Sequence, residues 1–256
     1  MTTTTDFKCA VRADLFARAM LGISTEQTRY YLNGVYVSAA PEGGALLVAT
    51  DGHWLIAIRD PRGVVEGSGI VALNDSMRKA LTKHRTDYGR SVHGRGAERV
   101  LIVGSGETVK DARAMIVLGG PVETPKDADP VDPRADTLTN LDVPGRDVMQ
   151  AQFYDVLIDG TFPDFHRVIP SDADFTLRPP LIDNRLIEKA SRALADGVTK
   201  SRAVTLGPSK GNPGAGPVIV LPAYKQTSDH TAIAVVMPMR NDNPTPTVPA
   251  FWKKAE

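Results

Sequence analysis

The apolar positions of the first sixty residues change period along the chain. Residues 8–60 begin with a short apolar strand (KCAVRA) and continue with helical spacing over about 13–21 (DLFARAMLG). They end in three alternating runs, RYYLNGVYVSA, ALLVATDG and HWLIAIRD. Apolar residues three or four positions apart predict a helix, whereas alternation predicts strands. This region therefore predicts a strand followed by a helix and three further strands.

The same order of elements occurs twice more. Residues 64–119 predict a strand (GIVAL), a helix that begins at an Asn74-Asp75-Ser76 cap and ends near His84, and the strands RVLIVGS, ETVKDA and RAMIVLG. The third copy predicts a strand (DFTLRPPLI), a helix from Asn184 to about Asp196, and the strands AVTLG, PVIVLPAY and TAIAVVMPMR. Three modules of one plan form an internal repeat.

Two segments lie outside this repeat. Residues 120–150 hold seven acids, three bases and five prolines with no apolar period, which predicts an exposed insertion. The last residues form a proline-rich tail. The predicted organisation is a two-module domain over 1–170 that contains the Pro/Asp-rich insertion at 120–150, a third module over 171–240, and the tail at 241–256.

The charge balance bears on possible partners. Lysine and arginine number 30 in the 256 residues, as do aspartate and glutamate, so any attraction to DNA must come from local segregation of charge. The single cysteine excludes an internal disulfide and zinc sites built on cysteine pairs. No apolar run approaches the roughly 18 residues of a membrane span. We expect a cytoplasmic protein with no membrane partner.

The chain contains no recognisable catalytic or cofactor-binding motif. The glycine pairs at 67–69 and 104–106 lack the third glycine, the following helix and the lysine of a phosphate loop. The five histidines form no helical i, i+4 pair, and no G-x-S-x-G turn occurs. We therefore expect no enzyme activity, no metal site and no cofactor.

All three predicted helices carry basic residues. In the third helix, Arg185, Lys189 and Arg192 form one stripe, opposite an apolar stripe that includes Leu186 and Leu194. A single basic helix face is more often a solvated surface than a ligand site. Three basic faces at equivalent positions of a repeat, however, favour binding of one common polyanion. The candidate DNA-binding residues are Arg12, Arg18, Arg78, Lys79, Lys83, Arg85, Arg185, Lys189 and Arg192.

Three strings resemble the bacterial sliding clamp, the β subunit of DNA polymerase III. They are RYYLNGVYV followed by LLVATDGHWLI (29–56), LIDGTFPDFHRVIP (157–170) and AVVMPMR (234–240), and they stand in the family's order. The resemblance implies an α+β, DNA-clamp-like fold of repeated β-α-β-β-β modules, with helices on the DNA-facing side and sheets outside. This fold agrees with the repeat.

The family also has a cleft that binds peptides of partner proteins. Carried over by resemblance, it would be formed here by Leu32, Thr50, Gly52, His53, Trp54, Leu55, Pro163, Arg167, Val168, Val235, Met237 and Met239. The family commonly has arginine where Trp54 stands, so we expect a more apolar rim. The apolar members of this set are also compatible with an ordinary core.

The resemblance implies a DNA polymerase processivity factor in DNA replication. It would bind duplex DNA without sequence preference and recruit the replicative polymerase and other proteins with clamp-binding peptides. Typical members have three domains and close a ring as dimers, whereas this chain has the middle domain and one further module, shorter than the usual last domain. Exposed sheet edges then predict a homo-oligomer. The alternative is a non-encircling peptide-binding clamp mimic that competes for clamp partners.

Overall fold

The computed structural model describes most of the repeat. The described residues are 7–81, 98–104, 111–119, 148–169, 181–195, 204–210, 215–223 and 231–239. The helices are α1 (Ala13–Ala19), α2 (75–81) and α3 (Asn184–Leu194), with single 3-10 turns at Met20–Gly22, Tyr30–Leu32 and Phe165–Val168. The strands are β1 (Lys8–Arg12), β2 (Val35–Ala39), β3 (Ala45–Thr50), β4 (Trp54–Asp60), β5 (Val64–Glu66), β6 (Ser68–Val71), β7 (Glu98–Gly104), β8 (Arg113–Gly119), β9 (Val148–Gln152), β10 (Leu157–Ile158), β11 (Val204–Pro208), β12 (Val218–Pro222) and β13 (Thr231–Val236).

These strands form two antiparallel sheets. The larger has the order β10-β6-β2-β3-β4-β13-β12-β11, and the smaller has the order β5-β1-β7-β8-β9. Strand β4 pairs with β13 from Trp54 opposite Val236 to Arg59 opposite Thr231. The third module therefore continues the sheet of the first.

The main core lies between the helices and the inner faces of both sheets. The sequence of β4 is almost continuously apolar because both faces of the strand are covered. Trp54, Ile56 and Ile58 face the main core, whereas Leu55 and Ala57 belong to a smaller cluster on the outer face. Alternate residues of a strand point to opposite faces, so a strand covered on both sides loses its polar positions.

Side-chain caps fix the starts of α2 and α3. Asn74 Oδ1 accepts a hydrogen bond from the Met77 amide at 2.9 Å, which confirms the predicted cap of α2. Asp183 Oδ1 accepts from the Arg185 amide at 2.9 Å at the start of α3. Buried Asp60 accepts from the Arg12 amide at 2.8 Å, just before α1 begins. The oxygens of Asn74 and Asp183 each satisfy a backbone amide that has no partner within its helix, whereas the Asp60 bond joins β4 to the end of β1 and does not cap α1.

One strand of the second module was assigned wrongly from the sequence. RAMIVLG forms β8, the middle strand, and the last strand is β9, so residues 148–150 belong to the sheet and not to the 120–150 insertion. Polar side chains conceal β9 in the sequence. Gln152 Oε1 accepts from the Asn74 amide at 2.8 Å, and Gln150 Nε2 donates to Ser76 Oγ at 3.0 Å. The sequence of β9 resembles that of a loop because its glutamines bind the start of α2.

Several other predicted segments cannot be compared with the structure. Residues 120–147 and the tail at 241–256 lie outside the described residues, as do residues 174–180 of the predicted strand at 174–182 and most of ETVKDA. Residues 181 and 182 are described and are not in a strand. The last two residues of ETVKDA, Asp111 and Ala112, are described and are not in a strand.

We expect Cys9 of the folded chain to react very slowly with thiol reagents at neutral pH. The side chain is fully buried, and burial raises the pKa of its thiol to about 12, so almost no thiolate forms. Colorimetric titration with a disulfide reagent should show one reactive thiol only after urea is added. Rapid reaction of the folded chain would contradict the position of β1.

Candidate functional site

A groove of about 240 Å³ opens where β13 ends beside the turn between β3 and β4. All the residues of the predicted cleft except Arg167 and Met239 line it. The full lining is Arg29, Tyr31, Leu32, Thr50, Gly52, His53, Trp54, Leu55, Pro163, Asp164, Phe165, Val168, Val235 and Met237. The structure thus brings together segments that lie about 200 residues apart.

The lip of the groove is the tight turn at 51–53. Thr50 Oγ1 donates to the Trp54 carbonyl at 2.7 Å and accepts from the Gly52 amide at 3.1 Å. Asp51 Oδ1 accepts from the amides of His53 and Trp54. Gly52 has φ +90°, a backbone conformation that residues with a Cβ atom rarely adopt, so the turn favours glycine.

The floor of the groove is apolar and closely packed. Leu55, Phe165 and Val235 belong to the outer-face cluster, which crosses the junction between β4 and β13. Phe165 packs against a stacked pair of rings, Tyr36 and Phe162, whose centroids are 5.0 Å apart. Packed rings of this kind hold their positions before a ligand arrives, which lowers the entropic cost of binding.

The mouth of the groove combines a methionine with charged groups. The Met237 amide donates to the His53 carbonyl at 3.0 Å, which ties the end of β13 to the lip. The Met237 residue is nevertheless 40% exposed. Arg29 lies at the same opening and forms an ion pair with Glu26 at 2.8 Å. A flexible thioether beside polar groups suits varied apolar side chains.

Basic side chains of α3 lie close to this lip. Arg185, Lys189 and Arg192 are exposed, as their spacing predicts. Arg185 pairs with Asp183 at 2.6 Å, and Lys189 pairs with Asp51 of the lip at 3.4 Å. The hydrogen bond from Arg185 holds the pKa of Asp183 below its ordinary value, so Asp183 stays charged at neutral pH. Carboxylates therefore offset part of the positive charge of α3.

Comparisons with known proteins agree with this geometry. No family model matches the chain. The β sliding clamp of Caulobacter vibrioides strain NA1000 is 30% identical over 207 residues, which cover 77% of this chain and 42% of that protein. The chain is similar to bacterial β sliding clamps. This confirms the resemblance expected from the sequence, and the chain spans less than half the length of that relative.

Solved clamp structures share the fold. The Helicobacter pylori β clamp in complex with diflunisal matches with a TM-score of 0.54 at 11% identity, over 93% of this chain and 67% of that chain. The Pseudomonas aeruginosa DNA polymerase sliding clamp with ligand matches with a TM-score of 0.50 at 16% identity, over the same shares of the two chains. The predicted α+β, clamp-like fold is confirmed.

Two of the predicted DNA-binding residues of this clamp-like chain, Arg12 and Arg18, are buried. Arg12 is 3% exposed and forms an ion pair with Asp14 at 2.9 Å. Arg18 is 2% exposed and donates from α1 to the carbonyls of Ala193 and Leu194 in α3, at 2.6 and 3.1 Å. In this structure the guanidinium of Arg18 is held by backbone carbonyls and that of Arg12 by the Asp14 carboxylate, so neither side chain is exposed to a phosphate.

The second helix is described only in part. Lys79 is exposed, whereas Arg78 is half-buried and donates through Nε to the Leu73 carbonyl at 2.6 Å. Lys83 and Arg85 lie outside the described residues. Among the described residues, the exposed members of the predicted DNA-binding set are therefore Lys79, Arg185, Lys189 and Arg192.

Trp54, which was expected to make the rim of the cleft more apolar, is buried. Trp54 is only 1% exposed, and its side chain packs in the main core with Leu47 and Ile56. The even-numbered residues of β4 face that core, and position 54 follows this alternation. Trp54 therefore lines the groove but adds little exposed apolar surface to its rim.

The predicted cleft residues, taken from the resemblance to clamps, omit four residues that line the groove: Arg29, Tyr31, Asp164 and Phe165. All four lie inside the quoted strings, so they could have been found by including every member of those strings. Phe165 also had a pattern signal, since Phe162, Phe165 and Val168 recur every three residues as in a 3-10 turn.

Two kinds of feature are absent from the part of the chain that the structure describes. No helix there is long and apolar enough to cross a membrane. Its histidine, cysteine and acidic residues form no group of three or more that could hold a metal ion.

Proposed function

We propose that this chain is a sliding-clamp-like processivity factor without catalytic activity. It binds duplex DNA without sequence preference and recruits the replicative polymerase and other proteins through clamp-binding peptides. The observation that supports this proposal is the groove at the junction of β4 and β13, whose lining includes Leu55, Val235 and Met237. These positions match the residues that the resemblance to clamps assigns to peptide binding.

The groove suits a short peptide with large apolar anchors. Burial of one leucine or phenylalanine side chain contributes about 1.5–3 kcal/mol. Two such anchors, less the cost of ordering a free peptide, correspond to an affinity in the micromolar range. Arg29 and Asp164 at the groove can orient the polar backbone of the peptide.

In this proposal, DNA binding comes only from the attraction between basic side chains and DNA phosphates. Arginine and lysine on exposed helix faces attract the phosphates of any sequence, which permits sliding. Arg185 and Lys189 are already paired with carboxylates, so a phosphate must compete with Asp183 and Asp51. We expect weak binding, with a dissociation constant of roughly 10⁻⁴–10⁻⁶ M at physiological salt.

Replacing Arg185, Lys189 and Arg192 together by alanine should weaken duplex binding and reduce its dependence on salt. Each lost phosphate contact lowers the slope of log K against log salt by about 0.9. The fold should survive, because all three side chains are exposed. Fluorescence anisotropy of a labelled duplex over a salt series measures both quantities.

A matched control removes the same charge from other surfaces. Lys8, Arg62 and Arg113 belong to the sheets or their turns, and replacing all three by alanine changes the net charge equally. This control should bind DNA more tightly than the α3 variant. Equal affinities and slopes for the two variants would show that α3 is not the DNA surface.

The burial of Arg12 and Arg18 favours a second candidate, a non-encircling peptide-binding clamp mimic that competes for clamp partners. It needs the groove but little basic surface. Primer extension by a clamp-dependent polymerase, with a full-length clamp present, separates the two. A processivity factor sustains extension when the full-length clamp is withdrawn, whereas a mimic inhibits extension and is overcome by excess clamp.

A further inference from the structure

A second cavity, of about 280 Å³, opens on the larger sheet beside β10, and we call it the β10 cavity. Its lining comes from β6, β10 and residues 159–162, together with Phe7 and Tyr36. None of these residues belongs to the predicted cleft or lines the groove. The β10 cavity is therefore a separate site, similar in volume to the groove.

The backbone path of two strands creates the β10 cavity. Strand β10 pairs with β6 over only two residues and ends at Ile158. The chain leaves the sheet there, so Ser68 and Gly69 of β6 have no opposite residue in β10. A Cβ atom at Gly69 would lie 2.9 Å from the ring of Phe7, so glycine leaves room for this buried ring. The shape of the cavity thus follows from where β10 ends.

One pair of aromatic rings lies between the β10 cavity and the groove. Tyr36 and Phe162 line the cavity, are half-buried, and stack with an angle of 13° between their planes. The ring of Phe162 is 6.4 Å from that of Phe165, which lines the groove. The two sites are thus neighbours on the continuous segment 157–168, and one bound chain can reach both.

The polar groups of the β10 cavity are oxygen acceptors. Three exposed polar side chains line it, those of Ser68, Asp159 and Thr161. Within the described part of the chain, none of the three side chains forms a hydrogen bond or an ion pair. Asp159 is also the only charged residue of the lining. The cavity therefore offers one negative charge and several unused acceptors beside aromatic rings.

This combination suits a guanidinium group. A guanidinium has several N–H donors and no acceptor, stacks on aromatic rings, and binds a carboxylate through two parallel hydrogen bonds. An apolar side chain would leave Asp159 without a partner, and an acidic one would be repelled. We propose that the β10 cavity takes an arginine side chain of a partner protein whose clamp-binding peptide lies in the groove. This inference rests on the proposed function, because the same partner chain occupies both sites.

The arginine must lie a short distance along the chain from the apolar anchors. Each residue of an extended peptide spans at most about 3.6 Å, so a spacer of about four residues is long enough to cross the Tyr36–Phe162 pair. Binding in the groove then holds the arginine at a high effective concentration near the cavity, so a weak contact still raises the affinity of the whole peptide.

Isothermal titration with a set of extended peptides tests this site. The leucine- and phenylalanine-containing clamp peptide is lengthened at either terminus by a Gly/Ser spacer of this length that ends in arginine or in citrulline, which has a similar shape but no charge. Salt of about 0.15 M screens long-range attraction. At one terminus, arginine should bind at least about threefold more tightly than citrulline, as expected for one exposed cation–π contact with an ion pair.

Asp159→Asn should abolish this gain and leave the affinity of the unextended peptide unchanged, because Asp159 does not line the groove. The fold should be kept because the side chain is exposed. Asp155→Asn is the matched control. It removes the same charge from an exposed residue outside the cavity, and its φ of +54° is also accessible to asparagine. The gain should persist in this control.

Three results overturn the proposal: equal binding of the arginine and citrulline peptides at both termini, a gain that survives Asp159→Asn, or a gain that is lost equally in Asp155→Asn. The unextended peptide separates this proposal from the proposed function. If it binds and arginine adds nothing, only the role of the β10 cavity is overturned. If it does not bind, the proposed peptide-binding function is overturned, and the role of the cavity with it.

Discussion

Replacing Met237 by aspartate should weaken the binding of a leucine- and phenylalanine-containing clamp peptide by at least about tenfold, which is about 1.4 kcal/mol. The side chain lies at the mouth of an apolar groove, and a bound peptide would bury the new carboxylate without a partner. The residue is part-exposed in the free chain, so the fold should be unaffected. Isothermal titration measures the loss.

Met239→Asp is the matched control for this experiment. Met239 is two residues further on and is 51% exposed, but its amide donates to the Leu181 carbonyl and its side chain does not line the groove. The peptide should bind this variant nearly as well as the wild type. An equal loss in both variants would place the peptide outside the groove.

Replacing Arg18 by methionine should lower the free energy of unfolding by about 2–5 kcal/mol, because two buried carbonyl groups lose their partner. Those carbonyls belong to Ala193 and Leu194 at the end of α3, and both residues are buried. Arg18 thus ties the helix of the first module to that of the third. Urea unfolding followed by circular dichroism measures the change.

Arg192→Met makes the same chemical change on the exposed face of α3. It should alter stability by no more than about 0.5 kcal/mol, as surface substitutions usually do. An unchanged urea midpoint for Arg18→Met would show that α1 and α3 are not joined by this side chain.

The helix α3 shows what the sequence could predict. Its start at Asn184, its apolar stripe and its exposed bases all follow from residue spacing, since the helix packs on one side only. Arg18 shows the limit of such patterns. Spacing places a basic residue on a helix face, but whether that face meets water or the end of another helix depends on tertiary packing. In this chain α3, about 170 residues away, covers it.

The groove was predicted through resemblance and not through pattern. Nothing in the spacing of Thr50, Pro163 and Val235 indicates that they meet, because their contact depends on the pairing of β4 with β13. The resemblance supplied the set of residues but not their orientations. Trp54 faces the core because it alternates with Leu55 along β4, and a set of aligned positions does not show which way each side chain points.

The most direct test of the peptide cleft is methyl NMR of the chain labelled at its seven methionines. Met237 lines the groove, whereas Met77 is fully buried in the main core and Met115 lies on β8 of the other sheet. Addition of a leucine- and phenylalanine-containing clamp peptide should shift the Met237 methyl signal in a saturable way and leave Met77 and Met115 unchanged. A Met237 signal that stays constant to saturating peptide would contradict the assignment of this groove as a peptide-binding site.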